Sequence, residues 1–243
     1  MLKKRLILVL TGLLIFCFSS SVFAMSADTQ NSSKRITYKA VEITDIGKLT
    51  DRAKKEISDI PKEKFNAKYT LKNNDTNAKT AENSLSTTQL LQESTVGDTT
   101  INEYATTTIS LLPMASLSQY DENDDSSYGV TAYSTIYWST TLINSVTYAK
   151  LTSTSGGWTI SDTSIGLSNR HVQQGESGTN SNGVVINPTN DIYPTSNTYS
   201  NSVSWANVNT SGLGWYSLGN NTDVKLTRHS TSWTLSHINN YHN

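Results

Sequence analysis

The stretch Gly156-Gly157-Trp158-Thr159-Ile160-Ser161-Asp162-Thr163-Ser164-Ile165-Gly166-Leu167-Ser168-Asn169-Arg170-His171-Val172 decides the fold class. Trp158 and Ile160 alternate with Thr159 and Ser161, and Asp162-Thr163 interrupts the run. A second run places Ile165, Leu167, Asn169 and His171 on one face, with Ser164, Gly166, Ser168, Arg170 and Val172 on the other. Period two marks a strand with one face on a core. Upstream, Val146, Tyr148, Lys150 and Thr152 alternate with Thr147, Ala149 and Leu151. The expectation is three consecutive strands around Trp158. Gly156-Gly157 is read as the turn before it, because glycine adopts positive φ without steric cost.

The same texture extends in both directions. Val130, Ala132, Ser134, Ile136 and Trp138 share one face of a strand, and Thr131, Tyr133, Thr135 and Tyr137 the other. Thr87 to Ser94 and Thr99 to Leu112 read as a hairpin turning at Val96-Gly97-Asp98, stopped by Pro113. Later strands are expected at Val184 to Ile186, Tyr199 to Asn209, Val224 to Arg228 and around Trp233, Leu235 and His237. Gly212, Gly214 and Gly219-Asn220-Asn221 read as turns. Short strands at this spacing predict an all-β antiparallel sandwich over residues 86–243, of jelly-roll or immunoglobulin-like topology. Tryptophans stand at 138, 158, 205, 215 and 233. Each can bury about 200 Å², or about 5 kcal/mol of transfer free energy at about 25 cal/mol/Å², which favours core positions for those on strands.

The chain begins with Lys3, Lys4 and Arg5, an apolar run from Leu6 to Phe18, and Val22-Phe23-Ala24. That is the pattern of a secretory signal peptide over residues 1–24, its apolar core being too short to span a bilayer as a helix. Cys17 is the single cysteine and lies within it, so the remainder has no disulfide. A disulfide-free chain with an export signal and a Lys- and Asn-rich composition points to a bacterial secreted protein. Residues 25–85 are polar and charged. An amphipathic helix is expected near 45–58, with Ile46, Leu49, Ala53 and Ile57 at helical spacing and Pro61 beyond it. This segment is read as a spacer or pro-segment.

The formal net charge is −1, and removing the three basic residues of 1–24 leaves −4. That argues against nucleic acid, which requires a concentrated basic surface. The C-terminal part, with Gly156-Gly157-Trp158-Thr159-Ile160-Ser161-Asp162 and Leu167-Ser168-Asn169-Arg170, resembles a loose group of secreted β-rich proteins of Gram-positive bacteria. The resemblance covers about residues 85–243 and implies a fold and an address, with no function or site to transfer.

Asp121, Asn123 and Asp125 place oxygen ligands at alternate positions, as in half of a calcium loop. Ser126 and Ala132 stand where an EF-hand needs glycine and a bidentate glutamate, so a solvated loop is the expectation and calcium the alternative. A glycosidase needs two facing carboxylates. After residue 126 the acids are Asp162, Glu176, Asp191 and Asp223, and only a spatial pairing such as Glu176 with Asp191 would serve. His171, His229, His237 and His242 have no metal-ligand spacing, and no GxSxG elbow is present. Trp215-Tyr216, between Gly214 and Gly219, and Tyr193-Pro194 are the candidates for exposed aromatic platforms. Beside Asn and Ser side chains, such rings suit sugars or polymer surfaces. The expected function is a non-catalytic extracellular binding or surface-association module for carbohydrate or cell-envelope polymer. The alternatives are a β-rich toxin or pore former using Thr195 to Gly212, and a hydrolase with a spatially assembled site.

Overall fold

The computed structural model describes residues 33–117, 128–212 and 214–243. The expected signal peptide and the acidic loop with Asp121, Asn123 and Asp125 lie outside the described residues.

The N-terminal part departs from expectation. Strand β1 (Arg35–Lys39) pairs with β4 (Leu85–Val96). Helix α1 (Ile46–Lys54) is capped by Asp45, whose carboxylate accepts from Lys48 N at 2.8 Å, and Leu49 and Ala53 are its buried stripe. Strand β2 (Phe65–Asn73) alternates Phe65, Tyr69 and Leu71 into the core. It pairs along its whole length with the last strand, and on its other side with β3 (Lys79–Asn83). The boundary expected near residue 85 is therefore corrected: residues 33–83 supply two neighbouring strands of one sheet, and Ser33–Asn243 is one compact unit. Between β1 and β2 the chain straps across the outside of β4. Gln89 exchanges hydrogen bonds with both the N–H and the C=O of Ile43, and Arg52 donates to Thr87 Oγ1 at 3.0 Å.

The remaining strands are β5 (Thr99–Pro113), β6 (Tyr128–Ile143), β7 (Val146–Ile160), β8 (Ile165–Thr179), β9 (Val185–Ile186), β10 (Thr189–Ile192), β11 (Thr198–Ser202), β12 (Val208–Asn209), β13 (Ser217–Arg228) and β14 (Thr231–His242). One sheet runs β1-β4-β5-β6-β7-β11, with β12 also on β7. The other runs β10-β8-β13-β14-β2-β3, with β9 also on β8. All strand pairings between these elements are antiparallel, and the two sheets form an all-β sandwich.

The turns follow backbone chemistry. Val96 faces Thr99 across Gly97, whose φ is +57°, and Ile143 faces Val146 across Asn144 and Ser145 at φ +49° and +64°. The left-handed Asn144–Ser145 pair, like the left-handed Gly97 at the first position of its turn, matches the twist of a tight hairpin. Gly156-Gly157 is not a turn. Both glycines lie inside β7, between Ser134 and Tyr133 on one side and Tyr199 and Thr198 on the other. A Cβ at Gly156 would overlap the Tyr133 carbonyl and the Tyr199 ring. The glycines serve close approach of neighbouring chains rather than reversal of direction.

The expected face of β6 is the inner one: Val130, Ala132, Ser134, Ile136 and Trp138 are all buried. Trp158 is 3% exposed and packs with Leu112, Val172, Tyr199, Leu226, Trp233 and Leu235. A second apolar cluster contains Phe65, Tyr104, Trp138, Leu151, Tyr216, Leu218 and Tyr241, with Trp138 stacked on Tyr104 and Tyr241. Between the clusters lies a belt of buried polar groups. Ser110 Oγ meets His237 Nδ1 at 2.7 Å and Ser134 Oγ donates to Asn220 Oδ1 at 2.9 Å. Asn239 Nδ2 donates to the carbonyls of Thr106 and Ser134 at 3.0 and 2.9 Å.

A carboxyl and an imidazole sit inside. Burial pushes the Glu176 carboxyl up to about 7, and burial pushes His237 down to about 3. Their effects on stability have opposite signs. The raised Glu176 contributes stability that is complete below its unfolded value of 4.5 and is lost as pH rises toward 7. The depressed His237 contributes stability that is complete above 6.5 and is lost as pH falls toward 3.

Two tests follow from the fold. A chain starting at residue 85 lacks the β2 partner of β14, so it is expected to stay unfolded by circular dichroism; a stable folded fragment would refute the placement of β2. Glu176→Gln removes one of the two opposed titrations. Relative to that variant, the wild type is expected to lose about 1.4 kcal/mol of unfolding free energy per pH unit on passing from about pH 5 to 7. Parallel denaturation profiles for the two proteins would contradict the burial effect.

Candidate functional site

The site is built on β8, whose parity changes midway. Asp223 of β13 faces His171 and Lys225 faces Ser168, so one extra residue is inserted opposite Val224, and Asn169 adopts φ +50°. This bulge turns the strand over. Ile165 and Leu167 pack against the core before it; after it the core positions are Val172, Gln174 and Glu176. The expected common face of Ile165, Leu167, Asn169 and His171 therefore ends at the bulge. His171, Gln173 and Gly175 point out of the sandwich.

At one end of this outer row, His171 Nε2 lies 2.8 Å from Asp191 Oδ1, and Gln173 Nε2 donates to the same oxygen at 3.1 Å. His171 Nδ1 lies 3.6 Å from Asp223 Oδ2, and Asp223 Oδ1 accepts from Ser236. The hydrogen bonds from His171 and then Gln173 hold the Asp191 carboxyl below the usual carboxylate range. The Tyr193 ring stacks on the imidazole, centroids 5.0 Å apart and planes 23° from parallel.

At the other end, Gly175 faces Gly219 across the β8–β13 ladder. Two neighbouring positions without side chains leave a depression of about 150 Å³, ringed by Gln173, Asn187, Thr189, Ser217, Asn221 and Asn240 and walled by Trp215. A Cβ on Gly219 would overlap the Asn239 carbonyl, so that glycine is required by the approach of β14. A Cβ on Gly175 would meet nothing, so packing does not demand glycine there.

Tyr193 is 71% exposed and Trp215 66% exposed. Tyr193 follows Ile192, in register with Val172, and Trp215 precedes Ser217, in register with Ser177. At about 3.3 Å of rise per residue the two rings bracket about 17 Å of strand. Tyr216 is a correction: it is 1% exposed, with its ring 5.4 Å from that of Tyr241. It shares the inward parity of Leu218 and Asn220, so only its neighbour Trp215 faces outward.

Glu176 points into the core, where its Oε2 accepts from Leu151 N at 2.7 Å, while Asp191 lies outside, so these carboxylates do not face each other. The carboxylates that do approach a common group are Asp191 and Asp223, on either side of His171, a juxtaposition made by β10 and β13 and invisible in sequence spacing. Among the described residues no group of three His, Cys, Asp or Glu is arranged to hold a metal ion. Ser84, Ser110 and His237 form a hydroxyl–imidazole chain. Ser110 and His237 have no exposed surface, so the chain lies inside the sandwich rather than at a surface a substrate reaches, and burial pushes the imidazole down to about 3. A larger hollow of about 520 Å³ lies beside the strap, but its aromatic, Phe65, belongs to the core. Among the described residues no helix is long and apolar enough to cross a membrane.

Compared with known proteins, the chain matches no family model, no curated protein and no solved structure.

The two glycines are expected to respond differently to substitution. Gly175→Val should fold with a melting temperature within a few degrees of wild type, whereas Gly219→Ala should destabilise by about 1–3 kcal/mol through overpacking. Thermal melts followed by circular dichroism check this, and equal losses would mean that the depression is a packing feature.

Proposed function

We propose that the protein is a non-catalytic extracellular binding module for carbohydrate or cell-envelope polymer, and that the outer face of β10, β8, β13 and β14 is its binding surface. One observation carries the reading: two exposed aromatic rings bracket an amide-lined row whose depression is set by a glycine that packing does not require. Exposed rings of this size leave apolar area in water that a ligand can cover. The apolar face of a sugar ring stacks on such a surface, while Asn and Gln side chains exchange hydrogen bonds with its hydroxyls. The N-terminal signal pattern supports an extracellular setting.

Co-sedimentation of the purified protein with insoluble polysaccharides and cell-wall preparations tests this. Saturable binding with a change in tryptophan emission is expected. Trp215→Ala should weaken it at least tenfold with an unchanged melting temperature. Binding to none of the preparations, or full binding by Trp215→Ala, would overturn the assignment.

A further inference from the structure

We infer that the ligand is an uncharged glycan chain lying lengthwise along β8, and that the face discriminates against anionic polymers. The inference rests on the binding reading above and adds the ligand's charge and orientation.

Orientation follows from register. Tyr193, Gln173, Gly175 and Trp215 succeed one another along a single strand direction, so a ligand touching both rings runs parallel to β8. At Gly175 and Gly219 the floor is bare backbone, which lets a sugar ring approach more closely than any side chain would permit.

Charge follows from the groups that face the row. Strand β10 contributes Asp191, β8 His171 and β13 Asp223, while β14 contributes Ser236 and Asn240 and, opposite Ser217, His242. Among the described residues no lysine or arginine lines the depression. Basic residues on the same outer face, such as Lys225 two positions beyond Asp223 on β13 and Lys68 on β2 opposite Ile238 of β14, stand outside the row. Two carboxylates with one imidazole between them do not attract phosphate or uronate groups. Like charges at about 4 Å cost about 1 kcal/mol even in bulk water, and more beside protein. Carboxylates are, however, strong acceptors for hydroxyl groups. Both side-chain bonds to Asp191 fall on Oδ1, and among the described residues none falls on Oδ2. That oxygen suits a sugar hydroxyl from a chain passing between Tyr193 and the depression.

The test compares neutral with anionic insoluble polymers: cellulose, starch granules and chitin against alginate, pectate and a wall preparation rich in polyol phosphate. The purified protein is expected to be retained by a neutral polymer, with an affinity that salt does not change. Gly175→Val should weaken that retention at least tenfold, and Asp191→Asn about threefold to tenfold, with melting temperatures unchanged. Retention by an anionic polymer that salt abolishes would overturn the inference and leave the binding reading intact. Full retention of a neutral polymer by Asp191→Asn would overturn the assigned role of the carboxylate. Retention by no polymer would overturn the inference together with the reading beneath it.

Discussion

The structure depends on a hydrogen-bonded belt between its two sheets. Apolar side chains alone would let facing sheets slide, because their contacts are non-directional. Here each sheet carries directional groups at mid-strand. Asn239 reaches across to the Thr106 and Ser134 carbonyls, and Asn220 bridges Ser134 and Tyr199. A slip of either sheet would leave these groups unpaired in the interior, at about 1–3 kcal/mol each. The belt thus sets the alignment that places an aromatic cluster at either end. Among the described residues His237 Nε2, Asn239 Oδ1 and Glu176 Oε1 are buried without a protein partner.

The belt also reaches the proposed binding face, because β8 belongs to both. Gln174 points inward and donates to Thr154 Oγ1, and its carbonyl oxygen accepts from Asn190 and Asn201. Asn190 precedes Asp191 on β10, so the bond that ties β10 to the interior also positions the carboxylate outside. Glu176, one residue beyond Gly175, is held by Leu151 N. Gly175 therefore lies between two anchored side chains, and a position with no side chain of its own keeps a defined floor. Such pre-organisation lowers the ordering cost of a ligand.

Much of the sandwich was legible because period two survives wherever a strand has a regular partner. The inward face of β6, the β4–β5 hairpin and the burial of Trp158 were all readable from alternation. The places that misled share a cause, which is geometry contributed by a distant chain. Phe65, Tyr69 and Leu71 alternate cleanly, but they sit among lysines and asparagines, and the partner that makes them a strand lies at the opposite end of the chain. Gly156-Gly157 resembles a turn locally, and only the approach of Tyr199 and Asn197 explains two glycines inside a strand. The bulge at Asn169 is invisible to alternation, since it appears only as a missing step against β13. Of the proposed platform residues, Trp215 and Tyr193 stand exposed because they flank strands, whereas the parity of β13 takes Tyr216 inward. Gly175 went unnoticed because its meaning lies in the glycine opposite.

The pairing of β2 with β14 bears on how the chain reaches this state. Thr234 bonds to Asn74 across 160 residues of sequence, and β2 stands between β14 and β3 in the finished sheet. A chain emerging from its N-terminus can form the β4-β5-β6-β7 meander as it appears, each hairpin closing on its neighbour. In the second sheet β10, β8 and β13 can pair, but β2 and β3 join them only once β14 is free. Loop closure over that distance makes such topologies slow to fold, with unpaired strand edges exposed in the interval. Loss of β14 would cut β2 and β3 off from β13 and uncover the interior. Completion of the second sheet therefore waits on Thr231–His242, the strand that joins its two parts.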